Sequence, residues 1–238
     1  MTTSKPNAAP PDRPGRSRAR PVAETRAPAG PKAPARQRIL AASRALLLGS
    51  DGFTDFNIDA VARKAGVTRM TVYYQFGNKR GLLEAVFDEL AARGELAERL
   101  PTAFQQADPE AALDAFVDAF THFWASDRTV IKRVRSLAVL DPELEQAHTA
   151  RDEWRLGGAK VILGRLASSM VPISPAQVDE KATILQAVTS FEMYDNLAAR
   201  GLSHGKILSS LQALARAVVG LEPRISSANR RRRAAPLC

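Results

Sequence analysis

Residues 68–75 concentrate side chains that can donate hydrogen bonds. Hydroxyl, guanidinium and amide groups occur close together here, and no acidic residue interrupts them. An ordinary exposed helix would instead carry pairs of Glu and Lys. A row of donors without carboxylates is suited to contact phosphates and base edges. The outward residues of this segment are predicted to be Thr68, Arg69, Thr71, Tyr73, Tyr74 and Gln75.

The sequence around these donors predicts a helix-turn-helix over residues 57–76. Asn57 and Thr68 are good N-caps for two short helices, because each side chain can accept a hydrogen bond from an orphan amide. Gly66 tolerates the positive φ of a tight turn, and Ala62 lets the two helices approach closely. Such a second helix lies in a DNA major groove with its N-terminal part facing base edges. Its apolar anchors are Val72 and Phe76.

Apolar residues at helical spacing extend this pattern over most of the chain. A helix preceding the helix-turn-helix has one face formed by Ile39, Leu40, Ser43, Leu46 and Leu47. Asn78 caps a further helix that starts at Lys79 and carries core residues Leu82, Leu83, Val86, Phe87 and Leu90. Beyond Pro101 we predict helices near 109–125, 128–139, 143–170, 175–199 and 204–220. Since no run of alternating apolar residues is long enough for a strand, the predicted fold class is all-α.

Several short motifs carry a family resemblance. They are Ile39-Leu40-Ala41-Ala42, Gly52-Phe53, Ile58 to Ala62, Ala65-Gly66-Val67, Thr71 to Phe76, Lys79 and Leu82-Leu83-Glu84. Through these motifs residues 36–87 resemble the DNA-binding domain of the TetR (tetracycline repressor) family of bacterial transcriptional regulators. The resemblance implies an N-terminal three-helix helix-turn-helix domain and a C-terminal helical ligand-binding and dimerisation domain. It also implies a sequence-specific repressor that a small apolar ligand releases from a palindromic operator.

The resemblance assigns DNA contacts to particular positions. Tyr73 and Tyr74 match an aromatic pair that contacts backbone phosphates, and Lys79 matches a phosphate clamp at a helix N-terminus. Arg69 is the best candidate for reading a base directly, because Arg bonded twice to guanine is the commonest specific contact. The predicted DNA-binding residues are Thr68, Arg69, Met70, Thr71, Tyr73, Tyr74, Gln75 and Lys79.

Two positions depart from the family pattern. Met70 occupies a position that is often small or polar, so its side chain either packs against a thymine methyl group or points inward. Gly81 stands where many members carry an acidic or other non-glycine residue. We expect Gly81 to loosen the first turn of the helix that starts at Lys79.

Positive charge is unevenly distributed along the chain. Basic side chains exceed acidic ones by eight to two in residues 1–36, by seven to three in 37–81 and by five to one in 222–238. Residues 82–221 instead carry fourteen basic and nineteen acidic side chains. A basic module on a mildly acidic body is typical of nucleic-acid binding and argues against a helix-turn-helix that serves packing alone.

Composition and charge together predict four segments. Residues 1–34 form a disordered basic tail rich in Pro, Ala and Arg, and residues 222–238 form a second basic tail. Between them lie a helix-turn-helix DNA-binding domain (35–81) and a helical regulatory and dimerisation domain (82–221). The tails either assist DNA binding electrostatically or only keep the protein solvated.

The last two predicted helices carry more apolar surface than one neighbour can cover. In 175–199 the apolar residues form a stripe, and in 204–220 they extend over more than one face. A homodimer with a four-helix interface would bury this surface. The alternative is that both helices are central within one monomer.

Aromatic residues of the body are candidates for lining a ligand cavity, since ligand sites are mostly apolar with a few polar groups. The candidates are Phe120, Phe123, Trp124, Trp154, Phe191 and Tyr194. The alternative for any of them is an ordinary place in the core. Possible polar contacts to an unidentified small-molecule effector are His122, Arg135, His148 and Asp195.

The remaining composition argues against an enzyme and against a membrane protein. The three histidines are well separated, the single cysteine is the last residue, and no glycine-rich phosphate loop occurs, so we predict no catalytic residue, metal or cofactor. We also predict a protein of the cytoplasm and nucleoid, because the N-terminus lacks the apolar region of a signal peptide. A ligand-independent or non-specific DNA-binding regulator is the alternative function.

Overall fold

Eleven helices and no strand occur in residues 33–49, 56–140, 142–169 and 173–222, which are the residues that the computed structural model describes. The predicted all-α fold class is therefore confirmed. The helices are α1 (Ala35–Leu48), α2 (Ile58–Ala65), α3 (Arg69–Phe76), α4 (Lys79–Arg93), α5 (Leu96–Gln105), α6 (Pro109–Ser126), α7 (Arg128–Ala138), α8 (Pro142–Ser169), α9 (Pro175–Val188), α10 (Phe191–Ala199) and α11 (His204–Val219). The Gly52-Phe53 motif and nearly all of both predicted tails lie outside the described residues.

Side-chain caps set the starts of the three helices after α1. The side chain of Asn57 accepts a hydrogen bond from the amide of Ala60 at 2.8 Å. Thr68 accepts one from Thr71 at 3.1 Å, and the Asn78 side chain does the same for Gly81 at 2.8 Å. Each predicted cap is thus confirmed. A cap of this kind typically contributes about 1 kcal/mol.

One predicted helix of the body is wrong. A single helix was expected over 175–199, but the chain leaves the helical path at Thr189 and Ser190. The indole N–H of Trp124 donates to the carbonyl of Thr189 at 2.9 Å, and Ser190 caps α10 by accepting from the amide of Met193. These bonds satisfy backbone groups at the break, so two shorter helices replace a continuous one.

A further difference from the sequence analysis concerns the segment around Pro101. Pro101 lies inside α5, a helix that the sequence did not predict. The missing N–H of Pro101 deprives the carbonyl of Ala97 of its helical partner. Both residues are on the exposed side of α5, where water can bond that carbonyl, while Leu100 and Ala103 are buried on the other side.

Helix α6 forms the centre of the body. It contacts α4, α5, α7, α8, α10 and α11, and its buried residues include Leu113, Phe116 and Phe123. None of the helices that the structure describes combines the length and apolar character that a membrane span requires.

Helix α4 connects the two halves of the described structure. It contacts α1 and α3 near its start and α5, α6, α7 and α8 along the rest of its length. The predicted boundary between residues 81 and 82 falls inside this helix. A second connection joins α1 to the body, because Arg44 pairs with the buried Asp127 and Arg133 donates to the carbonyls of Leu47 and Gly49.

Candidate nucleic-acid interface and ligand cavity

Helices α2 and α3 form the predicted helix-turn-helix. Gly66 ends α2 in the left-handed conformation at φ 64°, where a residue with a side chain would be strained. The amide of Val67 donates to the carbonyl of Ala62 at 3.0 Å and closes the turn. Ala62 is buried as expected. The turn residue and the small residue therefore lie where the sequence predicts them.

Helix α3 is fixed to the core on one side and exposed on the other. Val72 is 1% exposed, and Phe76 is partly buried against the core. In contrast, Tyr74 is 87% exposed and Met70 is 72% exposed, so Met70 points outward rather than inward. Of the other predicted contacts, Thr68, Arg69, Gln75 and Lys79 are exposed, and Thr71 and Tyr73 are half-buried. None of the eight predicted DNA-binding residues is buried.

The side chain of Arg69 is held by two partners. Its Nη1 donates to the carboxylate of Asp59 at 3.1 Å, and its Nη2 donates to the hydroxyl of Tyr73 at 2.9 Å. The hydrogen bond with Tyr73 and then the charge of Asp59 raise the pKa of Arg69. Sequence reasoning missed Asp59 because it lies on α2, ten residues before the arginine that it pairs with. The only signal for it was an acid in an otherwise basic segment.

The start of α4 depends on Gly81. A Cβ atom at this position would lie 2.1 Å from the carbonyl oxygen of Phe76, which is a severe steric overlap. The glycine therefore lets the first turn of α4 approach the end of α3, a packing role that the sequence did not predict. The neighbouring Lys79 is exposed, with its Nζ 5.9 Å from the ring centroid of Phe56.

Four of the six predicted cavity residues come together in the body. A cavity of about 150 Å³ is lined by Phe120, Phe123, Trp124 and Trp154, and we call it the inner cavity. The first three are buried, whereas Trp154 is 59% exposed at the rim. Phe191 instead lines a wider, more polar hollow of about 500 Å³, and Tyr194 is buried but lines neither space.

The predicted polar residues separate in the same way. Arg135 and His148 line both spaces, and Asp195 lines the wider hollow, where Arg128 and Lys132 pair with it at 2.6 and 2.9 Å. His122 lies elsewhere, with its Nε2 3.7 Å from Glu95. Burial, followed by the charges of Arg135 and Arg151, lowers the pKa of His148 to about 4. His148 is therefore neutral at pH 7.

Sequence reasoning missed several residues that line the inner cavity, among them one aromatic and two cationic side chains. Phe87 on α4 was assigned to the core, and it does pack edge-on against Phe123 and His148. Arg151 and Arg155 were not singled out, although they recur with His148 at spacings of three and four residues along α8. That spacing places all three on one helix face.

A helix-turn-helix with an exposed second helix, attached to a helical body, defines a class of protein, and the chain is a DNA-binding transcriptional regulator of that class. Residues 39–86 match the family described as bacterial regulatory proteins, tetR family, and the chain belongs to this family. The resemblance predicted from the motifs is confirmed.

Two relatives and one solved structure illustrate the similarity. The HTH-type transcriptional regulator AlkX of Mycobacterium tuberculosis is 30% identical over 153 residues, which are 63% of this chain and 68% of AlkX. The HTH-type transcriptional regulator EthR of Mycolicibacterium smegmatis is 23% identical over 80% of this chain and 91% of EthR. A TetR-like transcriptional regulator from Rhodococcus sp. RHA1 shares the fold, with a TM-score of 0.60 and 21% identity over 80% of this chain and 98% of that one.

Proposed function

We propose that the protein is a homodimeric repressor that reads a palindromic operator and is released from it by a small ligand. The observation that carries DNA reading is the exposed face of α3, which has donors and no acid and is fixed to the core through Val72. Each α3 enters a major groove, and the two half-sites lie about 34 Å apart along the DNA.

The residues of this face divide into two groups by chemistry. Arg69 reads a base, with guanine as the preferred partner of its guanidinium, and Met70 packs against a thymine methyl group. Lys79, Tyr73 and Tyr74 contact phosphates, which positions the helix without selecting a sequence. The shorter polar side chains of Thr68, Thr71 and Gln75 contact either bases or phosphates.

Dimerisation through α9 and α11 is supported by their exposed apolar residues. Helix α9 buries Ala182 and Leu185 but leaves Ile184 exposed, and α11 buries Leu211 but leaves Leu214 exposed. A second copy of the chain that packs on these helices would cover that surface. A dimer also provides the two reading helices that a palindrome requires.

Ligand release is supported by the position of α4. This helix contacts α1 and α3 near its start, and its residues Phe87, Asp88 and Ala91 line the inner cavity. A ligand that favours a different position of α4 therefore also changes the separation of the two copies of α3 in the dimer. The ligand acts through its difference in affinity for the two states, which lowers the affinity for DNA.

Selection of bound sequences from a random DNA pool at physiological salt tests this proposal. A palindromic consensus is expected, since two symmetric copies of α3 would read it. Competition with unrelated DNA at several salt concentrations serves as the control, because binding through phosphates alone falls steeply with salt whatever the sequence. If no sequence is enriched, α3 does not read bases, and a non-specific DNA-binding regulator replaces the proposed function.

A further inference from the structure

The inner cavity contains an arginine whose hydrogen-bonding capacity is not used. Arg155 on α8 is 5% exposed, and its Nη1 pairs with Asp152 at 3.2 Å. Its Nε is buried and has no hydrogen-bond partner among the described residues. The guanidinium carbon lies 5.7 Å from the ring centroid of Phe120 and 6.0 Å from that of Trp124. A buried guanidinium with one unpaired donor is unfavourable, so Arg155 retains capacity for an acceptor in addition to Asp152.

The charges around the inner cavity favour an anion as that acceptor. Its charged lining residues are three arginines and two aspartates, so positive charge is in excess. Arg151 pairs with Asp88 at 2.9 Å and Arg135 with Glu192 at 2.7 Å, and Arg155 is the most buried of the three arginines. Burial is the largest cause of the low pKa of His148, and the charges of Arg135 and Arg151 lower it further.

An apolar groove continues from the inner cavity to the surface. It has a volume of about 520 Å³ and is lined by Ala91, Leu96, Ala97, Leu100, Pro101, Phe104 and Trp154. Three of these residues, Ala91, Leu96 and Trp154, also line the inner cavity, so the two spaces adjoin. A ligand that occupies both would meet a buried cation at one end and apolar side chains at the other.

We propose that this site binds a monocarboxylic acid with an apolar tail, with the carboxylate at Arg155 and the tail in the groove beside Trp154. Arg155 lines the inner cavity, and a planar guanidinium is the cation that a carboxylate matches with two parallel hydrogen bonds. The tail replaces water along the apolar groove, which supplies most of the binding free energy. This assignment rests on the proposed ligand response and specifies the chemistry of its ligand.

Tryptophan fluorescence of the full-length protein provides a direct binding assay. The chain has two tryptophans, Trp124 and Trp154, and both line the inner cavity. The probes are decanoate and decanamide, which share the tail and differ in the charge of the head group. A charge-assisted hydrogen bond is about twice as strong as a neutral one, so we expect decanoate to bind at least about tenfold more tightly.

Two variants separate the head-group contact from the general effect of charge. Arg155→Met should weaken decanoate binding at least about tenfold and leave decanamide binding nearly unchanged. Lys160→Met is the matched control, because it removes one positive charge from the same helix at an exposed residue that lines neither space. It should bind both probes as the wild type does. The comparison of the two probes on the wild-type protein needs no variant, so the test survives if Arg155→Met fails to fold.

The outcomes distinguish this inference from the proposed function. Equal affinity for acid and amide, no binding of decanoate, or undiminished decanoate binding by Arg155→Met would each overturn the acid site. If decanamide releases the selected operator as well as decanoate does, ligand release stands and the acid site falls. If decanoate binds in an Arg155-dependent way while the operator stays bound, the acid site stands and ligand release falls.

Discussion

Replacement of Gly81 by alanine tests whether close packing or helix propensity governs the start of α4. On propensity alone, Gly81→Ala would stabilise a helix by roughly 0.5–1 kcal/mol. The structure adds an opposing effect, because the new Cβ would lie 2.1 Å from a backbone oxygen of Phe76. Relief of such overlap requires backbone movement, which typically costs about 1–3 kcal/mol. Packing is the larger effect, and we expect a net loss of roughly 1–2 kcal/mol in the free energy of unfolding.

Gly157→Ala is the matched control for this substitution. Gly157 lies within α8, and a Cβ there would meet no atom within 4 Å, so only the gain in helix propensity remains. We expect this variant to be more stable than the wild type by roughly 0.5–1 kcal/mol.

Urea unfolding at one fixed protein concentration measures both variants, since the stability of the proposed dimer would depend on concentration. The two substitutions should change the free energy of unfolding in opposite directions. If Gly81→Ala raises stability as Gly157→Ala does, the close approach of α4 to the end of α3 is not a tight constraint. Helix propensity would then govern this position, in agreement with the expectation that Gly81 loosens the first turn of α4.

Three further predictions concern DNA reading, a cap and pH. Arg69→Ala should weaken operator binding by roughly 1–3 kcal/mol and relax the preference at one base pair, whereas Lys79→Ala should weaken binding to all sequences alike. Sequence selection and affinity measurements with each variant check this. Unchanged affinity in both variants would refute the assignment of the exposed face of α3 to DNA binding. Asn57→Ala should lower the free energy of unfolding by about 1 kcal/mol in urea, and a loss near zero would mean that the cap contributes nothing. The pKa of His148 is about 4 in the folded protein and rises to its ordinary value of 6.5 on unfolding, so between these values the unfolded chain binds one more proton. The free energy of unfolding should therefore fall by on the order of 1–2 kcal/mol as the pH drops from 7 to 4.5. His148→Gln should remove that part of the pH dependence, and an identical slope in both proteins would contradict the buried neutral histidine.

Local signals explain what the sequence predicts well. The caps at Asn57, Thr68 and Asn78 and the turn at Gly66 are decided by residues within four positions along the chain. Anchoring by Val72 follows from helical periodicity, which is also local. The helix-turn-helix is built from such features, so its sequence specifies it almost completely.

Contacts between distant segments explain what the sequence could not predict. The break between α9 and α10 coincides with a hydrogen bond from Trp124 to Thr189, 65 residues apart, and the local cap at Ser190 alone did not lead us to predict it. The position of Phe191 away from the inner cavity follows from that break. The packing role of Gly81 was not predicted, because the backbone oxygen that excludes a side chain there belongs to Phe76 at the end of the preceding helix. The unpaired Nε of Arg155 is likewise visible only after α6 and α8 have packed.

The two connections between the helix-turn-helix and the body limit how the helix-turn-helix can move relative to the body. One is the end of α1, held to α7 through Arg44 and Arg133, and the other is the uninterrupted backbone of α4. A rigid helix-turn-helix domain that is attached at two points can rotate most freely about the axis through both points. Points far from that axis travel along wider arcs than points near it. A slight tilt of α4 beside Phe87 would therefore produce a larger displacement of the tyrosines on α3.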